Sequence, residues 1–279
     1  MPARLPYRGD GTRLPMGLAL PPDRMPLWHR RRPLKRWRYV GAYGEAFMVC
    51  AGIVRIGGLP QSFWAIWDRE RRVLHERTRL WPAGVEVGER HVVVRDRDVA
   101  IELRLAAAGE PVVVVSDHHG AHIWTRKLPL AVEGTVTIHG EARALAATGI
   151  SDDSAGYYAR ITDWEWAAGA GTTADGRAVV WNLVTGVHDA TTGSERTVWV
   201  DGVAREVAPG TFSPDLDAVT FEDGAQLRFA QESVRRRRDN LLLVASDYAQ
   251  PFGTVSGTLP GGVELASGYG VMERHHARW

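Results

Sequence analysis

An all-β, barrel-like fold follows from three observations in this sequence. Residues 160–171 read Arg-Ile-Thr-Asp-Trp-Glu-Trp-Ala-Ala-Gly-Ala-Gly and residues 175–184 read Asp-Gly-Arg-Ala-Val-Val-Trp-Asn-Leu-Val, two strand-like runs that carry tryptophan in alternation with other residues. Asp175-Gly176, Asp201-Gly202 and Asp223-Gly224 each separate two β-prone runs. Short apolar segments bounded by turn residues recur at intervals of about ten residues, the spacing of sandwiches and barrels.

Successive side chains on a strand point to opposite faces. Arg160, Thr162, Trp164 and Trp166 therefore share one side, with Asp163 and Glu165 on the other. Across the turn, Trp181 sits with Val179 and Leu183, opposite Asn182. A face this aromatic packs a core or lines an apolar pocket.

In chain order, residues 1–38 are rich in proline and poor in periodic apolar positions, which predicts an irregular arm laid over the domain. The arm ends in a basic group, Arg30, Arg31, Arg32, Lys35, Arg36 and Arg38. Its plain reading is a solvated face or contacts to loop carbonyls, and its sharper one is contact with phosphate or anionic lipid. Strands are then expected at 47–56, 62–67, 73–80, 91–95, 99–105, 112–115, 122–127, 134–139, 157–167 and 177–185. Further strands are expected at 197–200, 204–207, 218–222, 226–231, 241–246 and 263–279. The Asp-Gly pairs suit tight type I′ hairpins and so a meander of antiparallel neighbours. The run Arg235 to Arg238 reads as a charged strand flank that discourages edge pairing, and 234–240 is the best of several weak helix candidates.

The composition bounds the function. With 279 residues the chain forms one large β domain or two smaller ones. Its 34 basic and 33 acidic side chains leave a net charge of +1, which argues against a general nucleic-acid binder. A lone cysteine, Cys50, excludes an internal disulfide and reads as buried filler within an apolar run. No apolar stretch reaches the length of a membrane span. The amino terminus lacks the apolar centre of a secretion signal, so a cytoplasmic location is expected.

Three segments invite chemistry. On the last strand, Tyr269, Val271, Glu273, His275, Ala277 and Trp279 share one face, and glycines at 268 and 270 thin the strand for close approach. Glu273 and His275 are neighbours on that face, where a carboxylate beside an imidazole in an apolar hollow would have shifted acidities; a buried pair that fixes register is the plainer reading. His188-Asp189 follows the second tryptophan strand and offers an acid near aromatic faces, or a loop pair closing a hairpin. Glu195-Arg196 reads as a structural ion pair. Asp117, His118, His119 and His122 invite a metal, but a three-residue spacing suits a helix face and a glycine interrupts the set, so a loop is expected and no metal site. No Gly-x-Ser-x-Gly elbow, phosphate-binding loop or dinucleotide fingerprint is present, and no cofactor is expected. Gly169 to Gly171 follows a strand but opens no helix.

Several motifs together resemble a bacterial family catalogued as a domain of unknown function, number 2804. They are Pro-Leu-Lys-Arg-Trp-Arg-Tyr-Val-Gly at 33–41, Gln-Ser-Phe-Trp-Ala-Ile-Trp-Asp at 61–68, Trp-Thr-Arg-Lys at 124–127, Asp-Ser-Ala-Gly-Tyr-Tyr-Ala-Arg-Ile-Thr-Asp-Trp-Glu-Trp at 153–166, Trp-Asn-Leu-Val at 181–184, Ser-Glu-Arg-Thr-Val-Trp-Val-Asp-Gly at 194–202 and the ending from Gly268. That family is distantly similar to AttH-like and carotenoid 1,2-hydratase proteins. The resemblance implies two lipocalin-like antiparallel β-barrel halves packed together, at 39–150 and 151–279 after the arm. It also implies a long apolar ligand, lipid-like or isoprenoid, and carries over no catalytic residue.

Three functions follow as expectations. The first is binding of a small apolar ligand in a cavity lined by Trp164, Trp166, Trp181 and Tyr269, with Arg160 at its side. The second is a cofactor-independent hydratase, isomerase or cyclase acting on an alkene in the same cavity, with Glu273 and His275 or His188 and Asp189 as acid and base. The third is a filled structural core with no cavity.

Overall fold

Period-two alternation runs through almost the whole chain and builds two curled antiparallel sheets, each a half-barrel. The structure, a computed structural model, describes residues 5–82, 84–241 and 244–278, among which there is no helix. The first sheet has eleven strands. Nine run in the order Val73–Arg79, Leu59–Asp68, Phe47–Ile56, Lys35–Tyr43, Glu141–Gly156, His122–Ile138, Val99–Ala107, His91–Asp96 and Val85–Val87. Val112–Asp117 adds beside His122–Ile138, and Tyr7–Gly9 from the arm pairs with it. The second sheet has ten strands. Its path is Val203–Glu206, Thr197–Val200, Ala178–Thr185, Ile161–Thr172, Ser267–Arg278, Val244–Leu259, Gln226–Leu241, Ala218–Phe221 and Gly210–Phe212, with Val263–Leu265 beside Val244–Leu259.

Each half-barrel is filled by its own inward face. Val40, Trp64, Ile66, Val92, Ile101 and Leu130 pack the first, and Trp181, Leu183, Val198, Phe221, Leu227 and Phe229 the second. The opposite faces of the central strands meet in a third cluster at the junction. There Tyr39, Met48, Trp67 and Ile150 of the first sheet pack against Trp166, Val180, Trp199 and Phe252 of the second. The arm lies over the first sheet, with Leu20 and Met25 buried against Val113, Trp124 and Tyr157.

Several expectations are corrected. The arm is not wholly irregular, since Tyr7–Gly9, Trp28–His29 and Arg32–Pro33 pair and Lys35–Tyr43 is a central strand. Residues 122–127 and 134–139 are one strand, His122–Ile138. The division expected at residue 150 falls inside Glu141–Gly156, and the chain passes between sheets at 157–160. Only Asp201-Gly202 has positive φ at both residues (49° and 79°), as a type I′ turn needs. The other two Asp-Gly pairs sit in longer loops where glycine alone is left-handed. Arg235 to Arg238 are no flank: they lie inside Gln226–Leu241, paired with Val244–Leu259. The strands expected at 241–246 and 263–279 run onto Leu242, Leu243 and Trp279, outside the described residues.

Candidate functional site

Antiparallel register places the chemistry of the second sheet. Trp166 stands directly opposite Glu273, and Trp164 opposite His275. Directly opposed side chains share a face, and this face looks across the junction. There it bounds a cavity of about 320 Å³ enclosed by both half-barrels, at the lower end of the range for small-molecule sites. Aromatic walls come from Trp37, Tyr39, Phe63, Trp164 and Trp166, with Val54, Val184 and Val187 between them. Leu59 and Leu80, both exposed, rim it.

Glu273 is the central polar group. It is buried, its Oε1 accepts the Trp164 indole N–H at 2.8 Å, and its Oε2 accepts Gln250 Nε2 at 2.9 Å. Burial raises its pKa to about 7, nearby Asp152 adds to the rise, and the Trp164 bond and Arg235 oppose it. His275 packs its ring on Trp164 at 4.2 Å between centroids, and its Nε2 pairs with Ser246 Oγ at 2.7 Å. Burial lowers its pKa to about 4, so the imidazole is neutral near pH 7. The two residues face one hollow, each held by its own partner.

A second polar group spans the junction. Lys127, buried, lies 2.6 Å from Asp152 and 3.3 Å from Glu195, in the loop that leads into Thr197–Val200 of the second sheet. Burial holds the Glu195 carboxyl above the usual carboxylate range, against the pull of Lys127. Asp152 also accepts from Ser154 Oγ at 3.1 Å. Beyond this pair His188 Nδ1 meets Ser116 Oγ at 3.0 Å, and burial and Lys127 keep the ring neutral. The remaining nitrogen of His188 and the Tyr158 hydroxyl are buried in the cavity lining with no hydrogen-bond partner among the described residues. Such groups cost about 1–3 kcal/mol each, and a ligand oxygen would satisfy them.

Arg235 forms part of the wall. A bulge between Gln231 and Ser233 shifts the register and sets Arg235 opposite Gln250. Its guanidinium meets Glu76 of the first sheet at 2.8 Å, donates to Gln250 Oε1 at 3.3 Å and lies 4.8 Å from the Phe63 ring centroid. Cys50, buried at the far side of Gln250, directs its thiol at Gln250 Oε1 from 3.8 Å.

The structure thus brings Trp164, Trp166, Glu273, His275 and His188 to one cavity and leaves four other candidates elsewhere. Trp181 points the opposite way, into the filled second half-barrel, because register pairs it with Gly169 and not with a tryptophan. A Cβ on Gly169 would stand 2.2 Å from the Trp181 ring, so this glycine exists for the indole and not for a phosphate. Tyr269 shares the face of Glu273 but lies four residues along the strand, roughly 13 Å away, under the guanidinium of Arg69. Arg160 precedes the strand on an exposed bend, where alternation has not begun. Asp189 is exposed and accepts the backbone N–H of Gly186, closing the turn. Glu195 and Arg196 do not pair with each other: Arg196 donates to the carbonyls of Val207, Asp189 and Ala190.

Sequence reasoning missed Lys127, Asp152, Tyr158, Arg235 and Gln250. Arg235 stands in a run of four arginines, where residue type does not alternate and only the register with Val244–Leu259 shows which of them turns inward. For Lys127, Asp152 and Glu195, far apart in the chain, no local signal exists. Among the described residues no group of three His, Cys, Asp or Glu side chains is arranged to hold a metal ion, and no helix is long and apolar enough to cross a membrane.

No curated protein matches the chain in sequence. Among solved structures, an AttH-like protein from Nitrosomonas europaea aligns over 93% of this chain and 97% of its own, at 14% identity and a TM-score of 0.46. Kievitone hydratase from Nectria haematococca aligns over 86% and 88%, at 13% identity and 0.49. CghA, solved with Sch210972, aligns over 88% and 88%, at 12% identity and 0.43. At this distance the likenesses carry no chemistry to this chain. Residues 83–279 match the family described as a domain of unknown function, DUF2804, leaving the motifs at 33–41 and 61–68 outside the matched span; the chain belongs to that family.

Proposed function

We propose that the chain binds a small, largely apolar ligand carrying at least one oxygen in the cavity between its half-barrels. One observation carries this reading: a hollow of about 320 Å³ is walled by seven tryptophan, tyrosine and phenylalanine rings, and two buried polar atoms of its lining residues, on Tyr158 and His188, have no partner among the described residues. Apolar walls provide affinity at roughly 25 cal/mol per Å² buried, and the few polar groups orient the ligand. Native mass spectrometry of the protein extracted gently from its own host tests it. A bound small molecule is expected; a clean ligand-free spectrum, with no uptake of added apolar alcohols or ketones, overturns it.

A second reading, acid–base conversion of that ligand, is favoured by Glu273. A carboxyl with a pKa of about 7 is protonated on about half of the molecules at neutral pH. It can pass its proton to an alkene carbon, forming the C–H bond while the π pair is consumed. The cation left on the other carbon would face the rings of Trp164 and Trp166. Water then adds to the cation and releases its proton to neutral His275 or back to Glu273. Glu273→Gln keeps the shape and removes the proton. Ligand retained with turnover lost supports conversion, and turnover unchanged removes it.

A further inference from the structure

We propose that the first half-barrel carries a second site, an anion-binding cleft that takes an organic carboxylate with a flat apolar body. The cleft, about 590 Å³, opens between the rim of the first sheet and the arm. It lies across the strand Lys35–Tyr43 from the junction cavity: Tyr39 lines the junction and Arg36 the cleft, while Trp37 and Arg38 stand between them and line both.

Register gathers four arginines on its wall. Arg36 stands opposite Arg55, Arg38 opposite Asp153, and Arg126 opposite Asp153 on its other side. Asp153 is engaged by Arg38 at 2.9 Å and by Arg126 at 4.0 Å. Glu89 lies 3.9 Å from Arg38, and Asp10 is turned to the backbone N–H of Thr12. Arg36 and Arg55 are left with no carboxylate in ion-pair reach among the described residues. Like charges directly opposed on antiparallel strands destabilise a sheet, so the fold gains nothing from this pair. A carboxylate between the two guanidiniums would convert the repulsion into charge-assisted hydrogen bonds.

A second observation points the same way. Trp124 lines the cleft more than nine-tenths buried, and its indole N–H has no acceptor among the described residues. A ligand oxygen would relieve that donor. The indoles of Trp37 and Trp124, with Ile53 and Val113, supply flat apolar walls, and two unengaged guanidiniums match a single carboxylate. Three others of the basic group in the arm have other work: Arg30 and Arg32 donate to the carbonyls of Gly120, His118, His119 and Tyr157, and Lys35 donates to the Tyr158 carbonyl.

Isothermal titration of the full chain with 2-naphthoate tests the site, with 2-naphthalenemethanol as the uncharged counterpart and inorganic phosphate as the anion without a body. One naphthoate is expected per chain, bound at least about tenfold more tightly than either control. Arg36→Gln with Arg55→Gln should lower that affinity about tenfold or more, whereas Val184→Phe, which narrows the junction cavity, should leave it unchanged. The unliganded double variant should melt about 1–2 °C higher than the parent, because a repulsion has gone. No naphthoate binding at millimolar concentration, equal affinity for a control, an undiminished double variant or loss in Val184→Phe would each overturn the proposal. So would a lower melting temperature of the double variant, which would assign the pair to the fold.

Discussion

Replacing Glu273 by glutamine should change how stability depends on pH, by an amount that follows from its environment. The native carboxyl titrates at about 7, against 4.5 for the same group in water. Between those values the folded chain holds a proton that the unfolded chain releases, so stability falls as pH rises through this window and levels off above it. The destabilisation from this one group grows from about 1 kcal/mol at pH 5 to about 3 kcal/mol at pH 8. His275 and His188, whose pKa values burial lowers, give the opposite slope in the acid part of the range. The useful quantity is therefore the difference between variant and parent, in which the histidines largely cancel. Urea unfolding of both proteins at pH 5, 6, 7 and 8 should show Glu273→Gln gaining about 2 kcal/mol on the parent across that span. Parallel stability curves would refute the reasoning, since they would mean that Glu273 titrates as an exposed carboxylate and is no proton donor at neutral pH.

Other changes report on neighbouring parts. Lys127→Met should cost about 3–5 kcal/mol in urea unfolding, because Asp152 and Glu195 lose their shared cation in a buried place. Most of that cost should return when Asp152→Asn and Glu195→Gln are added. Trp164→Phe removes the N–H that favours the ionised form of Glu273, so the carboxyl midpoint followed by carbon NMR should move upward from about 7. Gly169→Ala drives a methyl group into the Trp181 ring and the Tyr269 carbonyl. It should cost about 1–3 kcal/mol while ligand bound per folded molecule stays constant, because that contact lies on the far face from the cavity.

The fold was legible wherever one face of a strand is apolar and the other polar. His91–Asp96 and Val99–Ala107 fall where alternation places them. It was illegible where both faces are used. Glu141–Gly156 opens with alanines that signal helix as readily as strand, then buries Ser151, Asp152, Asp153 and Ser154 in succession. A strand with Asp152 at one site and Asp153 at the other cannot alternate in hydrophobicity. Lys35–Tyr43 does alternate at its start, with Trp37 and Tyr39 against Arg36 and Arg38, but the prolines before it and its basic charge made residues 35–38 read as arm. On the candidate site, period two put Glu273 and His275 with Trp164 and Trp166 only once register was known, and the same register sent Trp181 away. The partners Lys127, Asp152 and Glu195 depend on how two sheets meet, which no local pattern encodes.

The main cavity has walls from both half-barrels and belongs to neither. A ligand lodged there acts as mortar, tightening the seam more than it tightens either barrel. Amide exchange should then slow together in Lys35–Tyr43 and Ser267–Arg278, strands more than two hundred residues apart in sequence, while the filled barrel interiors change little. The shape of the hollow is likewise set by how the halves seat on each other. A small shift at remote contacts such as Trp199 donating to the Glu110 carbonyl would remodel it without touching any wall.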